Sequence, residues 1–163
     1  MYQVGLRQVT ALDAGWIYDA CQDSEIQRWT LVPRPYLLNH AEDFASGGGI
    51  IEAQRWAICD KAFPDRGLGI ISIHRIEDKN AEIGYWVAPW ARGERVCSRA
   101  VAEVITWSRL NTHAESVSAK IAETNIVSQR VVLAAGFLAA EPTADLLPDG
   151  GGKVPGIVFR RAI

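Results

Sequence analysis

One segment of the chain, from Ala81 to Leu110, constrains the fold most strongly, because it combines a strand pattern, a tight loop and a helix pattern. Apolar residues alternate with others from Ala81 to Val87, which predicts a strand with both faces largely covered. Pro89 ends this strand. From Val96 the apolar spacing becomes helical, so a long helix follows with one buried stripe. The stripe is formed by Val96, Ala100, Val101, Val104, Ile105 and Leu110.

The loop between this strand and this helix carries the dipeptide Arg92-Gly93 and lies at the helix N-terminus. The N–H groups of a first helical turn have no partner within the helix, and the positive end of the helix dipole attracts anions. A phosphate group suits such a position. The segment therefore predicts a nucleotide-binding arrangement.

The composition indicates one globular domain over residues 1–163, because 163 residues suffice for one hydrophobic core and are too few for two ordinary domains. A net charge of −2 provides no basic field for nucleic acid or for an anionic membrane surface. The chain shows neither an apolar run of about 18 residues nor a signal-peptide pattern. Cys21, Cys59 and Cys97 are odd in number and lack the spacing of metal ligands, which favours a reducing cytoplasm and no metal site.

The rest of the chain alternates strand and helix patterns, which predicts a mixed α/β sheet. Strands are expected at Gly5–Val9, around Trp56 and Ile58, at Leu68–Ile76, at Val117–Ile121, at 137–140 and at 157–160, the last two joined by a long glycine-rich loop. Helices are expected from Asp13, as a cap, to about Ala20; over Ser24–Trp29; from Asn39, as a cap, to about Ala45, ended by Gly47-Gly48-Gly49; and from Asn125 to Ala135, closed by Gly136. Turns are expected at Asp65-Arg66-Gly67 and Asp78-Lys79-Asn80.

Three sequence blocks in this order resemble the Gcn5-related N-acetyltransferase (GNAT) superfamily, in particular its RimJ/RimL-like branch. The blocks are Ser24-Glu25-Ile26-Gln27-Arg28-Trp29 with Pro33, Pro35 and Tyr36; Glu82-Ile83-Gly84-Tyr85-Trp86-Val87 with Arg92-Gly93; and Asn125-x-x-Ser128 with Val132-Leu133 and Gly136-Phe137. The resemblance implies a central, mostly antiparallel twisted sheet of about six to seven strands flanked by about four helices. It also implies transfer of an acetyl group from acetyl-coenzyme A to a primary amine, by direct attack in a ternary complex.

The resemblance implies a coenzyme A site in which the loop departs from the family pattern at two positions. Arg92 matches that pattern, whereas Arg95 replaces a usual glycine and Cys97 a usual small residue. A side chain at 95 either narrows the cradle for the diphosphate or supplies it with a charged donor fork. Cys97 is expected to be a packed small residue rather than a nucleophile. The expected cofactor-binding residues are Trp86, Val87, Arg92, Gly93, Glu94, Arg95, Val96, Cys97, Ser98, Asn125 and Ser128.

The resemblance places the catalytic groups on the strand and on the helix that begins at Asn125. Glu82 is the general-base candidate, with a solvated or ion-paired glutamate as the alternative. Many members of the superfamily use a tyrosine just beyond that helix, and no tyrosine follows Tyr85 here. Ser128 therefore becomes the candidate to hydrogen-bond the leaving thiol, with Asn125 binding the pantetheine arm or a water. Helix capping is an equally good and compatible interpretation of both residues.

The amine acceptor is less well defined by the sequence. Trp29, Tyr36 and Trp56, together with Trp86, could line an aromatic cleft, although each residue type is more often found in a core, and His74 is more often structural. An α-amine, with a pKa of about 8, loses its proton more easily than a lysine side chain at about 10.4. This favours a peptide N-terminus or a small-molecule amine as acceptor, with a monomer or homodimer and neither nucleic acid nor membrane as partner.

Two other hypotheses belong to different classes. The first is a catalytically degenerate acyl-coenzyme A-binding module, regulatory or structural, whose altered loop holds the ligand without turnover. The second is a protein-interaction domain that binds no nucleotide. Turnover with a panel of amines separates the first from an enzyme, and a thermal shift with coenzyme A separates the second.

Overall fold

A computed structural model of the protein describes residues 1–48 and 52–163. The α-helices are α1 (Ala14–Cys21), α2 (Ser24–Trp29), α3 (Leu38–Ala45), α4 (Val96–Asn111) and α5 (Ile126–Ala134). The strands are β1 (Val4–Gln8), β2 (Gln54–Asp60), β3 (Phe63–Glu77), β4 (Asn80–Val87), β5 (Ser116–Ala122), β6 (Leu138–Pro142), β7 (Leu147–Asp149), β8 (Gly152–Val154) and β9 (Gly156–Ala162). None of the helices in the described parts of the chain is long and apolar enough to cross a membrane.

Seven strands form one sheet in the order β1-β2-β3-β4-β5-β9-β6, and β7 and β8 form a separate hairpin. Every neighbouring pair in the large sheet is antiparallel except β4 and β5, which run parallel. The prediction of a mostly antiparallel mixed α/β sheet is therefore confirmed. The loop expected to be merely glycine-rich contains the β7–β8 hairpin, because its length leaves room for two short strands.

The two parallel strands separate part-way along their length. Their pairing begins at Asn80 with Ser116 and ends at Ile83 with Ala119. Strand β4 continues to Val87 and β5 to Ala122 without pairing with each other. An opening in the sheet follows, and its two edges carry backbone groups that can bind an extended ligand.

The core has two parts, one on each face of the sheet. Helix α4 covers one face, and its buried residues Val96, Ala100, Val101, Val104 and Ile105 follow the predicted stripe. The prediction that Leu110 is buried is wrong, since this residue near the helix end is 79% exposed. Helices α1, α2 and α3 cover the other face, where residues such as Ile17, Ile26 and Ala57 are buried together.

One of two predicted helix caps is confirmed in position, and the other is wrong. Asp13 is the N-cap residue of α1, but its carboxylate makes no cap bond to that helix, because it accepts hydrogen bonds from Arg7, Trp16 and the Thr10 N–H instead. Asn39 lies inside α3, whose N-cap is Leu37, and the His40 imidazole accepts from the Leu37 N–H at 3.1 Å.

The turn predicted at Asp65-Arg66-Gly67 is also wrong, since these residues continue β3, which begins at Phe63 and pairs with β2 through a register shift. The turn at Asp78 and Lys79 is confirmed, with φ of +49° and +59°, and Asn80 already begins β4. The glycine run expected to end α3 is described through Gly48, and Gly49 lies outside the described residues.

Candidate functional site

The loop after β4 has the backbone shape of an anion-binding turn. Gly93 has φ of +79°, and a Cβ at that position would meet nothing within 4 Å. Arg95 is the N-cap of α4 and adopts the left-handed conformation, with φ of 57° and ψ of 24°. A glycine would adopt that conformation without strain, whereas an arginine does so at a cost. The replacement therefore keeps the backbone path that a glycine would favour.

Backbone donors are concentrated at this loop. The first hydrogen bond into the α4 ladder runs from the Arg99 N–H to the Arg95 carbonyl at 3.2 Å. Among residues 1–48 and 52–163, no backbone acceptor pairs with the N–H groups of Gly93 through Ser98. The Arg95 side chain is exposed and Gly93 leaves the approach open. These groups fit a diphosphate.

Helix α2 is attached to the loop by an ion pair. The Arg92 guanidinium donates to both oxygens of Asp23, at 3.2 and 2.5 Å. The bond from Arg92 is the main reason that the pKa of Asp23 lies below its usual value. Asp23 is also the N-cap of α2, accepting from the N–H groups of Glu25 and Ile26. A diphosphate bound by Arg92 would therefore compete with this carboxylate.

The other end of α2 is attached to the β7–β8 hairpin. The Arg28 guanidinium donates to Asp149 at 2.7 Å, and the Thr124 hydroxyl donates to the second Asp149 oxygen at 2.8 Å. The Gly150 N–H donates to the Arg28 carbonyl at 3.0 Å. Because Thr124 follows β5, these contacts connect α2 to the far edge of the opening between β4 and β5. Helix α2 thus bridges the opening from the loop to the hairpin.

Ser128 and Asn125 lie together at the start of α5. The Asn125 side-chain oxygen accepts from the Ser128 N–H at 3.1 Å, so the predicted cap is present. The Ser128 hydroxyl is 2.9 Å from the Tyr85 hydroxyl. Both residues therefore cap or connect elements, and the Ser128 hydroxyl stays close to β4.

Tyr85 is a residue of the site that sequence order does not indicate. It lies before α5 in the chain, yet the fold brings its hydroxyl to Ser128 across the sheet face. Burial raises the pKa of Tyr85, so the phenol stays protonated. The alternation along β4 does indicate where its side chain points: Tyr85 is on the same strand face as Ile83, and that face packs against the core under α4.

Cys97 packs against the same core, beside the start of α4. Burial raises the pKa of its thiol to about 12. A thiol with such a pKa holds almost no thiolate at neutral pH. Its placement is consistent with the expected packing role.

Glu82 lies on the opposite face of β4, within a cluster of charges. Its carboxylate is 2.9 Å from the Arg75 guanidinium, 3.4 Å from the Lys120 ammonium and 3.9 Å from the His74 ring. His74, Arg75 and Lys120 together lower the pKa of Glu82 to about 2, against the effect of burial. The carboxylate is therefore charged at neutral pH and a weak proton acceptor.

The structure does not bring the predicted acceptor aromatics into one cleft. Trp56 is buried on the α4 face, with its ring 5.0 Å from that of Trp107. Tyr36 is buried on the other face, where its side chain contacts Cys21. Trp29 is partly exposed on α2 and its indole N–H donates to Glu25 at 3.0 Å.

The sequence that forms this site matches a known domain family. The profile of the Acetyltransferase (GNAT) domain family matches residues 3–138, which is most of the chain. The chain belongs to the GNAT acetyltransferase family. Members take the acetyl group from acetyl-coenzyme A, so membership gives this domain its enzyme class and its co-substrate. No curated protein sequence is a significant match to the chain.

Solved structures with the same fold include three that bear on the site. The microcin C7 self-immunity acetyltransferase MccE, in complex with acetyl-CoA and AMP, has a TM-score of 0.82 at 16% identity and covers 98% of this chain and 92% of its own. RimL, the ribosomal L7/L12 alpha-N-protein acetyltransferase, has a TM-score of 0.82 at 18% identity and covers 98% of this chain and 94% of its own. Spermidine N-acetyltransferase from Vibrio cholerae, in complex with CoA and spermine, has a TM-score of 0.81 at 14% identity and covers 98% of this chain and 95% of its own.

The prediction of the superfamily is thus confirmed, and the RimJ/RimL-like branch stays a prediction. At these identities the likeness to solved structures shows the GNAT fold alone. Within the described residues, His, Cys, Asp and Glu side chains form no group able to hold a metal ion.

Proposed function

We propose that this GNAT domain transfers the acetyl group of acetyl-coenzyme A to a primary amine, on a peptide N-terminus or a small molecule, by direct attack in a ternary complex. One observation carries the proposal: the opening between β4 and β5 leads directly into the loop whose backbone N–H groups are unpaired. An extended thioester arm fits the opening, and its diphosphate fits the loop. RimL and MccE, which share the fold, have been solved with coenzyme A and acetyl-CoA respectively.

The proposed cofactor contacts divide by position. The loop residues Gly93 through Ser98 would donate backbone N–H groups to the diphosphate, and the Arg92 guanidinium would exchange Asp23 for phosphate oxygens. The backbone of Trp86 and Val87, at the free end of β4, would hold the pantetheine and the acetyl oxygen. N–H groups aimed at that oxygen stabilise the charge that develops there during attack. Asn125 and Ser128 line the other edge.

Glu82 is proposed to act at the amine. Its carboxylate is ionised and partly buried, with 16% of the side chain exposed, so it attracts an ammonium group to the acceptor side of the sheet. Direct proton transfer from an ammonium of pKa about 8 to a carboxyl group of pKa about 2 is strongly uphill. The role of Glu82 as the general base stays a prediction. A neighbouring group with a higher pKa would accept the proton of the ammonium group more readily.

Ser128 is proposed to serve the leaving thiolate. Its hydroxyl is free to donate because the Tyr85 phenol, which stays protonated, can donate to the serine oxygen. A serine that receives such a bond is a better donor toward developing negative charge. Attack by the neutral amine forms the C–N bond and breaks the C–S bond; the nitrogen loses one proton, and the sulfur receives one through the Ser128 hydroxyl.

A cavity of about 260 Å³ is proposed as the acceptor entrance. It lies between the segment after α2 and the β7–β8 hairpin, with Leu31, Arg34 and Lys153 in its lining. Trp29 directly precedes the lining residue Thr30, whereas Tyr36 is buried among α1 and α3 and Trp56 packs under α4, so neither of these two lines the cavity. The cytoplasmic location and the monomer or homodimer state stay predictions.

The proposal is tested by binding and turnover. Acetyl-coenzyme A at about 100 times its dissociation constant should stabilise the fold by about 2.7 kcal/mol, measured as a thermal shift. Release of free coenzyme A with a panel of short peptides and small primary amines measures transfer, with N-acetylated peptides as matched controls. Heat of binding together with an acetylated product supports the proposal. Absence of both binding and product would overturn it.

The module that binds acyl-coenzyme A without turnover remains the alternative, and one observation favours it. Arg92, the matching residue of the loop, is held by Asp23 rather than left free. Binding without product for any amine in the panel would support this alternative. If the protein is active, Glu82→Gln tests the role of this carboxylate at the amine, which predicts a rate lower by about 10²–10⁴-fold with the affinity for coenzyme A retained.

A further inference from the structure

The Cε1–Nε2 edge of the His74 imidazole lies against Gly84, beside the opening in the sheet. A Cβ added to Gly84 would be 2.3 Å from the ring Cε1 and 2.4 Å from Nε2. Gly84 therefore leaves the space that the ring occupies. It is also the first residue of β4 beyond the last pair with β5, at Ile83. The imidazole thus lies where the two strands begin to separate.

Two carboxylates flank the ring. Nδ1 is 3.9 Å from a Glu82 oxygen and Nε2 is 3.8 Å from a Glu52 oxygen. Each distance exceeds a hydrogen bond, so the ring has room to take a further partner. Both carboxylates are themselves held, since Glu52 accepts from Ser72 and Arg55 at 2.9 and 2.5 Å.

Other charges around the ring lie behind the carboxylates. Arg75 of β3 and Lys120 of β5 face Glu82, and Asp145 neutralises Lys120 at 2.6 Å. Arg55 of β2 faces Glu52. Each nearby cation is therefore paired with a carboxylate, and the groups nearest to the ring nitrogens are negative.

The ring is accessible and close to the expected reaction centre. Its side chain is 44% exposed, so an acceptor and water can reach it. Trp86 follows Gly84 on the same face of β4, about 7 Å further along the strand. The proposed acetyl oxygen site lies at the backbone of Trp86 and Val87. A primary amine in contact with His74 would thus lie about two residues along β4 from the proposed position of the acetyl carbonyl.

We propose that His74 is the proton acceptor of the transfer, held between Glu52 and Glu82, which act as positioning residues. This proposal rests on the proposed function. The ammonium group of the acceptor gives one proton to the free ring nitrogen. Its lone pair then forms the C–N bond as the C–S bond breaks. The nitrogen loses its second proton, while the Ser128 hydroxyl passes one proton to the thiolate and regains one in its place, so the net products are the amide, the free thiol and the proton on the imidazolium. The imidazolium releases its proton to water through its exposed side.

The first test is His74→Ala with chemical rescue. The rate with the best peptide or amine of the panel should fall by about 10²-fold or more, while the calorimetric affinity for coenzyme A is retained. Added imidazole should restore part of that rate, because the variant leaves a ring-sized space above Gly84. The rescued rate should follow the basicity of substituted imidazoles. His113→Ala, at an exposed loop position, is the matched control and should keep the full rate.

The second test moves the ring without changing it. In Gly84→Ala the new Cβ occupies the ring position, and the exposed imidazole can turn toward solvent, so the fold is retained. The rate should fall as in His74→Ala. The double variant should be no slower than either single variant, since both remove one function. Circular dichroism and the affinity for coenzyme A verify the fold of each variant.

The outcomes distinguish this proposal from the proposed function. If the wild type binds no coenzyme A and acetylates nothing, the proposed function fails. If the wild type is active and His74→Ala keeps its rate within about twofold, His74 is not the proton acceptor. A slow His74→Ala that imidazole does not rescue, with additive losses in the double variant, would assign the ring a structural role and also overturn the proposal.

Discussion

The strained backbone at Arg95 gives a prediction that can be worked out from the structure. Arg95 has φ of 57° and ψ of 24° at the N-cap of α4. A residue with a Cβ pays about 1–2 kcal/mol for this left-handed conformation, and glycine does not. Glycine in turn makes the unfolded chain more flexible, which costs roughly 0.5–1 kcal/mol. Arg95→Gly should therefore stabilise the fold by about 0.5–1 kcal/mol.

A thermal melt without ligand measures this effect. For a domain of this size about 1 kcal/mol corresponds to roughly 2–4 °C in melting temperature. Arg95→Ala keeps the Cβ and removes an exposed side chain, so its melting temperature should stay close to that of the wild type. Glu94→Gly is the matched control, because Glu94 is absent from the positive-φ positions of the described chain, and glycine there should lower stability.

The same variants also test the role of the side chain toward coenzyme A. If Arg95 pairs with the diphosphate, Arg95→Ala weakens binding and reduces its salt dependence. If the side chain obstructs the loop, Arg95→Gly tightens binding. The strain argument is refuted if Arg95→Gly melts at a lower temperature than Arg95→Ala, since the difference between them isolates the conformation of one backbone position.

Three further predictions concern individual hydrogen bonds. Ser128→Ala leaves the Asn125 cap in place, because that cap binds the Ser128 backbone N–H, so the free energy of unfolding should fall by less than about 1 kcal/mol. In steady-state kinetics, kcat should fall by a much larger factor than the KM for acetyl-coenzyme A changes. An unchanged kcat would reject the proton-donor role of Ser128. Tyr85→Phe removes the partner of the Ser128 hydroxyl, and steady-state kinetics should show a loss of kcat that is not additive with Ser128→Ala, whereas additive losses would separate the two residues. Burial raises the pKa of Asp13, but hydrogen bonds from Arg7 and Trp16 outweigh burial and lower it, so its contribution to stability is present above about pH 4 and is lost as the pH falls through the folded-state value. Asp13→Asn should cost about 2 kcal/mol in urea unfolding at pH 7 and flatten the acid limb of stability, with the exposed Asp19→Asn as control; an unchanged acid limb would contradict the role of this carboxylate.

The sequence by itself determined the strand, loop and helix between Ala81 and Leu110, which the structure extends by one residue at each end. Alternation and helical spacing are local patterns, so they predict element type and the buried faces without any tertiary knowledge. Together with the blocks at Ser24–Trp29 and Asn125–Ser128, they also indicated the superfamily. Local reasoning went wrong where an alternative partner was available, as at Asp13, whose carboxylate binds Arg7 rather than the helix that follows.

Only the tertiary structure decided which distant side chains meet at the site. The contacts of Tyr85 with Ser128, of Arg92 with Asp23, and of His74 with Glu52 join residues between 22 and 69 positions apart in the sequence. Sequence spacing carries no information on such contacts, because strand order and register set them. The parallel pairing of β4 and β5 ends at Ile83. Because the two strands separate there, the sheet opens, and Gly84 and the His74 ring lie beside that opening.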